Sequence, residues 1–559
     1  MRSHLPERES KLARLEKLKQ IRSPMLQHAR DISTYLLPYA GRYLVDERNR
    51  YEDRYQDIID ETGLSSLEIL EAGMMATRTS PARPWFRLQV ADPALNKRWR
   101  VRQWLQICDD VIGRMFRKSN TYLTLSGLYS EQGAFGTGAA LVTDDFDAGI
   151  HCTQFTMGEY SIATDNRGRV NTLYREFQMT VSECVLEFGL ENCSKTTRKL
   201  FSERMYDSPV KVAHAIEPRS FEEREPGRRD NRNMPWASCY FELGAEPGEY
   251  LRISGFRRFP CLVPRWRVTG GDFWGTGPGS KALGGTKQLQ IEQLRKGEAI
   301  DYQTRPPLQV PPSLMNRDQD LLPGGQIPYE QTTPQGGVRP AFEVNLRLDW
   351  LQEDIVDVRR RIERAFFVPL FQPIGTLSDT TQRTAQEILQ RREEMLTMLG
   401  PVTQRNQNEL DEPLIDLAFD RAIDARLLPA PPEELDGQEL EVEFLGPLAQ
   451  ALKAVEAQNI DRFTFALGTI GASKPEVWDR FNADAWVDHM SDRLGVHPDL
   501  VIANDRVAII RQRRAAAEAA AAQSQAMAVQ AKTARDLAAA DTASQNALTD
   551  VTRQYSGIV

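Results

Sequence analysis

Long apolar runs are missing from this 559-residue chain. No stretch approaches the roughly 18 apolar residues that a membrane span needs. The densest apolar cluster, Phe366–Phe371, is short and contains Pro369. The N-terminal stretch MRSHLPERESKLARLEKLKQ is charged throughout and lacks the apolar segment of a secretory signal. We therefore expect no membrane partner, and synthesis in a host cytoplasm without export by that route.

Metal-binding and disulfide patterns are also missing. The six cysteines are scattered through the first half of the chain without a CxxC pair, which indicates neither a disulfide framework nor a zinc site. The six histidines are dispersed as well, and His489 and His497 lack the helical spacing of metal ligands. The sequence predicts no metal and no cofactor.

Acidic residues outnumber basic residues in this chain. The formal net charge of −8 argues against a protein that grips nucleic acid over a broad basic surface, but not against one that lets DNA pass. The basic stretch Arg511–Arg514 could touch phosphates, yet a solvated helix face or ion pairing between subunits is the favoured interpretation.

Catalytic signatures are absent too: there is no GxSxG, HExxH or Walker loop. Gly133, Gly136 and Gly138 do not have the spacing of a phosphate loop, so we expect a tight turn from a helix into a strand at 139–143. The acidic group at 144–147 could bind a divalent cation, but a hairpin turn is favoured. No enzyme is predicted.

What the chain does have is a central stretch, 283–381, with two helices around a proline- and glycine-rich excursion. Eight prolines between Pro306 and Pro340 prevent helix there. In the second helix, apolar residues three and four apart form one face, and the opposite face is densely charged. The apolar face comprises Leu348, Leu351, Ile355, Val358, Ile362 and Ala365.

The first half of the chain is predicted to mix helices with antiparallel strands. Helices are expected at 6–22, 24–36, from a Ser-x-x-Glu capping box at Ser65, and at 99–116 and 122–132. A hairpin is expected over 159–177 with its turn at Asp165–Gly168, followed by strands at 212–217, 237–244 and 250–256. The charged segment 219–232 is predicted to be a solvated loop, and the aromatic, glycine-rich segment 261–279 is predicted to pack rather than bind a ligand.

The second half is predicted to be mostly helical. Pro369, Pro373 and Gly375 should keep 368–379 out of a helix. A helix should run from a capping box at Thr384 to Gly400-Pro401, and another over 402–425, interrupted or re-aimed at Pro413. A strand is expected at 439–444 and helices after 447, ending in a long alanine-rich helix or frayed tail at 505–548. The fold class is α+β and predominantly helical.

The order of these elements resembles the portal, or head-to-tail connector, proteins of short-tailed bacteriophages. Short segments in a characteristic order and spacing carry the resemblance: 67–79 with Pro84-Trp85-Phe86, Gly133-Ala134-Phe135-Gly136, Asp165-Asn166-Arg167-Gly168, Pro264-Arg265-Trp266, Gly275-Thr276-Gly277-Pro278, Thr384-Ala385-Gln386-Glu387, Leu399-Gly400-Pro401 and 442–449. Trp274 and Thr276 depart from the tyrosine and arginine that similar connectors often have.

The resemblance implies a ring, usually of twelve subunits, at a capsid vertex, with double-stranded DNA passing along its axis during packaging and ejection. It implies a portal fold with a mixed wing, a two-helix stem, a clip and a helical crown or barrel. The expected parts are wing 1–280 and 383–504, stem helices 281–305 and 346–368, clip 306–345, channel loop 369–382, and crown or barrel with tail 505–559.

The resemblance also suggests functional residues. The expected channel-lining residues are Arg295, Lys296, Arg305, Pro373, Ile374, Gly375, Thr376 and Leu377. The expected docking residues of the clip are Leu314, Met315, Asn316, Arg317, Gln326 and Tyr329. The expected ring-assembly residues are Leu348, Leu351, Ile355, Val358 and Ile362, packed between the two limbs and between neighbouring subunits.

The implied partners are further copies of the chain, the large subunit of the terminase, tail adaptor proteins, and the major capsid and scaffolding or internal core proteins. DNA would pass without sequence-specific contacts. An alternative from another class is a phage tail or adaptor component that bridges proteins without enclosing DNA. The long excursion between two helices favours the conduit, because an adaptor needs no segment that returns along itself.

Overall fold

The computed structural model describes most of the chain. The described ranges are 8–43, 55–96, 98–220, 230–244, 250–304, 308–309, 339–340, 348–371, 399–445, 463–471, 481–494 and 504–539, with a few isolated residues between them. The chain divides into two compact units. The first contains 1–88, 106–430 and 442–460, and the second contains 89–105, 431–441 and 461–559.

Helices and strands alternate in the first half, and helices dominate the second. The helices are α1 Arg8–Tyr35, α2 Thr62–Arg78, α3 Pro93–Asn96, α4 Trp99–Lys118, α5 Thr121–Phe135, α6 Val181–Phe188, α7 Lys195–Ser202, α8 Pro278–Thr304, α9 Leu348–Ala365, α10 Val368–Phe371, α11 Gly400–Asn406, α12 Glu412–Asp424, α13 Ala483–Leu494 and α14 Asn504–Ala539. The strands are β1 Phe86–Val90, β2 Ala139–Asp145, β3 Gly149–Phe155, β4 Tyr160–Thr164, β5 Val170–Thr180, β6 Pro209–Pro218, β7 Trp236–Glu242, β8 Arg252–Phe256, β9 Cys261–Leu262, β10 Leu308–Gln309, β11 Arg339–Pro340 and β12 Leu440–Phe444.

A five-stranded antiparallel sheet is the largest sheet among the described residues of the first unit. Its order is β4-β5-β6-β7-β8, so each strand pairs with the next one along the chain. The β4–β5 turn is closed by the Asp165 carboxylate, which accepts hydrogen bonds from the backbone N–H groups of Arg167 at 2.8 Å and Arg169 at 2.9 Å. The hairpin and the three following strands predicted from alternation are confirmed.

Helix α1 covers one face of this sheet. Leu15 and Leu18 belong to a buried cluster with Tyr174 of β5 and small side chains of β6 and β7. The helix runs unbroken through Pro24, so the prediction of two helices separated at that proline was wrong. Ala29 and Ile32 are also buried, and burial on both sides of Pro24 outweighs the roughly 3 kcal/mol that a proline costs inside a helix.

Helix α2 begins earlier than its capping-box pattern predicts. It starts at Thr62, and no side-chain cap hydrogen bond forms at its N-terminus. Ser65 lies within the first turn and its hydroxyl donates to the Thr62 carbonyl oxygen at 3.3 Å. The Asp60 carboxylate accepts from the Thr62 N–H at 3.0 Å and supplies the acceptor that Ser65 was predicted to provide.

The glycine segment after α5 is a turn, as predicted. Gly136 ends the helix with φ of 84°, and a Cβ there would lie 2.4 Å from the Gly275 carbonyl oxygen. The chain then enters β2, which pairs with β3 through a hairpin. Asp145 closes that hairpin by accepting from the Ala148 N–H at 2.9 Å, so the acidic group at 144–147 is a turn, as favoured.

Two proline-containing segments differ from their predictions. Val368–Phe371 forms α10, so the prediction that 368–379 is not helical was wrong for these four residues, and 372–379 lie outside the described residues. Pro369 lies in the first turn, where its missing N–H costs no helical hydrogen bond. The Phe371 ring packs on α2 at Gly73, where a Cβ would lie 2.2 Å from it.

Gly400-Pro401 begins α11, and Pro401 occupies the first turn, where its missing N–H costs no helical hydrogen bond. The helix predicted before it, from Thr384, lies outside the described residues. A π-helical turn at Gln407–Asp411 separates α11 from α12, immediately before Pro413. The regular α-helix is thus interrupted immediately before Pro413, as predicted, and a change in its direction stays a prediction.

The segment 219–232 is not solvated along its whole length. Arg219 is buried, and its guanidinium donates to the carbonyl oxygens of Asn231 at 3.2 Å, Met234 at 3.0 Å and Ser254 at 2.7 Å. Satisfying three backbone acceptors in this way ties the loop to β8. The prediction of a solvated loop was therefore wrong at its first residue.

The second unit is helical where the structure describes its C-terminal part. Arg511 of α14 makes a bidentate ion pair with Asp484 of α13, both oxygens lying 2.6 Å from guanidinium nitrogens. Arg506 lies over the Trp99 ring, 4.5 Å from its centroid. The predicted alanine-rich helix is confirmed as α14, and nearly all its described side chains are exposed. No helix among the described residues is both long enough and apolar enough to cross a bilayer.

Candidate functional site

Helices α8 and α9 pack against each other in antiparallel orientation. Near one end, a Cβ on Gly285 of α8 would lie 3.5 Å from Ile362 of α9. Near the other end, the Lys296 ammonium donates to the Gln352 side chain. Residue numbers therefore increase along α8 in the direction in which they decrease along α9. The observed bounds of α8 and α9 lie close to those of the two predicted helices, 281–305 and 346–368.

The apolar seam of α9 is buried within a single chain. Ile355 and Val358 are 0% exposed and Ile362 is 1% exposed. Leu351, nearer the start of α9, is half-buried, and the side chain of Leu348 lies outside the described residues. The seam packs between the limbs as predicted. Its part in contacts between neighbouring subunits stays a prediction.

A buried polar cluster, which we call the Asp60 node, ties both helices to the segment before α2. One Asp60 oxygen accepts from Arg359 Nη2 of α9 at 2.7 Å and from Gln293 Nε2 of α8 at 2.7 Å. The Gln290 side chain of α8 accepts from the backbone N–H groups of Ile59 at 2.7 Å and Asp60 at 2.8 Å. The node thus holds three parts of the chain in one register.

The electrostatics of the node favour an ionised carboxylate. Burial alone would raise the pKa of Asp60, but hydrogen bonds from Thr62, Arg359 and Gln293 outweigh it and hold the pKa below its usual value. Glu292, also on α8, lies in an environment that shifts its pKa in the opposite direction. Burial and the nearby Asp354 carboxylate of α9 raise the pKa of Glu292.

One face of α8 exposes large apolar side chains. Ile291 is 50%, Leu294 is 52% and Tyr302 is 50% exposed, and their spacing of three and eight residues places them on one side of the helix. Arg295 is exposed at the margin of this face, about 100° around the helix from Leu294. On α9, Trp350 is 69% exposed. Large apolar side chains grouped in this way mark a surface that contacts another molecule.

The predicted channel and clip residues are only partly described. Arg295 is exposed, whereas Lys296 is half-buried and directed at α9. The remaining predicted positions lie outside the described residues: Arg305, Leu314, Met315, Asn316, Arg317, Gln326, Tyr329, Pro373, Ile374, Gly375, Thr376 and Leu377. Where the predicted clip begins and ends, β10 and β11 pair antiparallel, with Gln309 opposite Arg339.

Several segments that carried the family resemblance converge on Arg265. This arginine is 1% exposed, and its Nη2 donates to the Gly168 carbonyl oxygen at 2.7 Å and to Glu409 at 2.5 Å. Its backbone N–H donates to Glu409 at 3.0 Å. The Trp274 ring lies 5.6 Å from that of Tyr160. The aromatic, glycine-rich segment packs, as favoured, and joins the sheet to the π-helical turn.

Sequence reasoning missed the Asp60 node. Asp60 lies between the helices predicted at 24–36 and from Ser65, and its partners on α8 and α9 follow 230 to 299 residues later. One signal was available: Arg359 stands directly beside the apolar seam position Val358, and a charged group at the margin of a buried face needs a partner.

Known proteins match the chain over most of its length. A family model described as bacteriophage head to tail connecting protein matches residues 8–502. A probable portal protein of Bordetella phage BPP-1 is 48% identical over 551 residues, covering 99% of each chain. The portal protein of Salmonella phage epsilon15 is 37% identical over 547 residues, covering 98% of each. Among solved structures, the neck of an empty GTA particle is 12% identical, with a TM-score of 0.40, covering 82% of this chain and 96% of that one.

Proposed function

This chain belongs to the family of bacteriophage head to tail connecting proteins and has the portal function at a capsid vertex, and from this premise we propose how it performs that function. Copies of the chain form a closed ring, with twelve subunits as the expected number. Double-stranded DNA passes along the axis of the ring during packaging and ejection. The chain acts by shape and charge and carries out no reaction of its own.

The pair of antiparallel helices α8 and α9 carries the proposal. Its inner seam is filled by side chains of one chain, and its Asp60 node fixes the pair to the segment before α2. The outer face at Ile291, Leu294 and Tyr302 remains exposed in the single chain. A second copy of the chain is the occupant that we propose for this face. Repetition of that contact around an axis closes a ring.

The charge of the chain suits a conduit. At a net charge of −8 per chain, a ring is strongly acidic and repels the phosphates of a duplex that must slide through it. We assign to Arg295, Arg305 and the channel loop 369–382 the few contacts with passing DNA. Lys296 contributes less, because its ammonium already donates to Gln352.

The clip, residues 306–345, is the proposed docking site for other proteins. The antiparallel pair β10–β11 at its base supports a segment that leaves α8 and returns to α9. The proposed partners are the terminase large subunit during packaging and the tail adaptor afterwards. Capsid and scaffolding or internal core proteins contact the ring elsewhere, and assembly takes place in the host cytoplasm before DNA enters.

Disrupting the exposed face of α8 tests the ring. We expect the double variant Ile291→Asp and Leu294→Asp to shift the purified protein from rings to monomers, because two charges cannot be buried against a neighbouring chain. Mass photometry measures the subunit number, and electron microscopy of the wild-type protein shows whether a central hole is present.

The control is Leu186→Asp, which introduces an aspartate at another apolar residue, one that is 89% exposed. This control should still form rings, and all variants should keep the wild-type circular dichroism. Intact rings in the double variant would contradict the proposed contact. A compact wild-type oligomer without a hole would instead favour a bridging adaptor, and nuclease or ATPase activity in the pure protein would contradict a purely structural role.

A further inference from the structure

The segment between β5 and β6 is a helical insertion with a small core. It contains α6, a 3₁₀ turn at Leu190–Asn192 and α7, and it joins two neighbouring strands of the five-stranded sheet. Its buried cluster consists of Val181, Cys184, Phe188, Cys193, Val210, Val212 and Leu251. A core of this size gives limited hydrophobic stabilisation, and small cores are often reinforced by a disulfide or a metal ion.

Three side chains with metal-binding atoms meet inside this insertion. The sulfur atoms of Cys184 and Cys193 lie 3.9 Å apart. Each lies within 4.8 Å of the other and of a carboxylate oxygen of Glu242, at the end of β7, and all three residues are buried. In a tetrahedral zinc site with Zn–S bonds of about 2.3 Å, two sulfur ligands are about 3.8 Å apart. The observed separation matches that edge of the tetrahedron.

We propose that Cys184, Cys193 and Glu242 bind one structural Zn²⁺ ion that fastens the α6–α7 insertion to the sheet. Two thiolates favour zinc over magnesium or calcium, which prefer oxygen ligands alone. The fourth position is left to a water molecule or to the Gly189 carbonyl oxygen, which lies 3.2 Å from Cys193 Sγ. Binding releases the two thiol protons to solvent.

The Glu242 carboxylate is oriented by groups at the start of α7. It accepts hydrogen bonds from the Ser194 N–H at 2.7 Å, the Ser194 hydroxyl at 2.6 Å and the Thr197 hydroxyl at 2.6 Å. Hydrogen bonds of this kind hold a metal ligand in position before the ion arrives. The loss of freedom on binding is then small, which favours affinity.

Positive groups lie beside the two cysteines and balance the charge of the bound site. Two thiolates and a carboxylate leave one negative charge after Zn²⁺ binds. The positive end of α7 stabilises it, and so does Arg198, whose Nε donates to the Cys193 carbonyl oxygen at 2.7 Å.

No local sequence pattern indicates this site, because its ligands are far apart along the chain. Cys184 and Cys193 are nine residues apart, and Glu242 follows 48 residues after Ser194, the residue it contacts. The familiar zinc signatures pair cysteines two to four residues apart. Only the return of the chain to the sheet brings these three residues together.

Metal analysis of the whole protein tests the proposal. The full chain is produced in zinc-supplemented medium and purified under reducing conditions, without a polyhistidine tag or chelator. Plasma mass spectrometry should find about one zinc per chain, as a single structural site requires. Replacing zinc with Co²⁺ should give the near-ultraviolet absorption of thiolate-to-cobalt charge transfer. Zinc below about a tenth of an ion per chain would overturn the proposal.

Variants locate the ion. Cys184→Ser and Cys193→Ser should each lose the zinc and the cobalt band, whereas Cys261→Ser, at a buried cysteine of β9, should keep both. Equal zinc in every variant would indicate an adventitious ion only and would overturn the proposal. So would an intact-mass measurement that finds Cys184 and Cys193 joined in a disulfide. If a serine variant does not fold, the wild-type zinc content and cobalt spectrum still decide.

Discussion

The side chain of Asp60 connects α8 and α9 to the segment before α2. Its carboxylate is 3% exposed and accepts hydrogen bonds from Thr62, Gln293 and Arg359. The pair with Arg359 is half open to solvent, because the guanidinium side chain is 39% exposed. Most of the stabilisation should therefore come from the hydrogen bonds that satisfy the buried carboxylate.

We expect Asp60→Asn to lower the free energy of unfolding of the first unit by about 1–3 kcal/mol at neutral pH, because a buried acceptor of several donors becomes partly a donor. Chemical denaturation measures the change. Asp57→Asn is the control, since Asp57 is exposed three residues earlier, and it should change little. An Asp60→Asn protein as stable as wild type at neutral pH would show that the node does not hold the stem.

The same variant has a defined pH dependence. The pKa of Asp60 is held below its usual value, so its ionised form stabilises the fold above the unfolded pKa near 4. This contribution is lost as the pH falls through the lower, folded pKa. The difference between wild type and Asp60→Asn should therefore shrink as the pH falls below about 4.

Residues whose partners are close in sequence could be foreseen, and those with distant partners could not. The Asp165–Gly168 turn was predictable because the Asp165 carboxylate bonds the N–H groups of residues two and four positions later. The Asp60 node and the Cys184, Cys193 and Glu242 cluster use distant residues. Their chemistry depends on the tertiary fold, which no local pattern specifies.

At the scale of the element, α9 follows its sequence pattern closely. Apolar residues three and four apart predict one buried face, and Ile355, Val358 and Ile362 lie on it. Ile355 is one of the residues that the sequence analysis assigns to ring assembly. Because Ile355 is 0% exposed within one chain, we expect a polar substitution there to act first on the stability of the stem itself.

Ile355→Ala should lower the free energy of unfolding by about 2–5 kcal/mol, through lost burial and the cavity that remains. Leu351→Ala, at a half-buried position one turn earlier, is the matched control and should cost clearly less. Thermal and chemical denaturation of both variants give the comparison. Equal losses at the two sites would mean that the seam is not filled within the chain.

Prolines were the main source of error at this scale. Pro24 was expected to break α1, and packing on both sides keeps the helix continuous. Pro369 was expected to exclude a helix, yet it lies in the first turn of α10. Pro401 likewise lies in the first turn of α11. A proline can follow the end of one helix or occupy the first turn of the next. Its position in the sequence alone does not distinguish these two cases.

For the molecule as a whole, charge is the property that the sequence specifies most directly. The net charge of −8 comes from composition alone and already argues against tight binding of DNA. The arrangement of copies around an axis is a property of several chains, so one sequence indicates it only through exposed faces such as Ile291 and Leu294.

Arg295→Glu should change DNA retention in the head, because it reverses one of the few charges proposed to meet the duplex. DNA content of particles after complementation of a portal-deficient phage measures the effect. Arg360→Glu, at an exposed residue of α9, serves as the charge-matched control. Unchanged packaging in Arg295→Glu would remove this arginine from the channel, provided that rings still form.

The pairing of β10 with β11 has a consequence for how such a protein can change. Gln309 and Arg339 face each other across this pair, so the ends of the intervening segment are fixed side by side. The segment between the two strands can therefore differ in length and sequence among related proteins while α8, α9 and the Asp60 node stay as they are. Under the docking role proposed for this segment, exchanging its residues would change which packaging motor or tail the protein accepts while α8 and α9 stay the same.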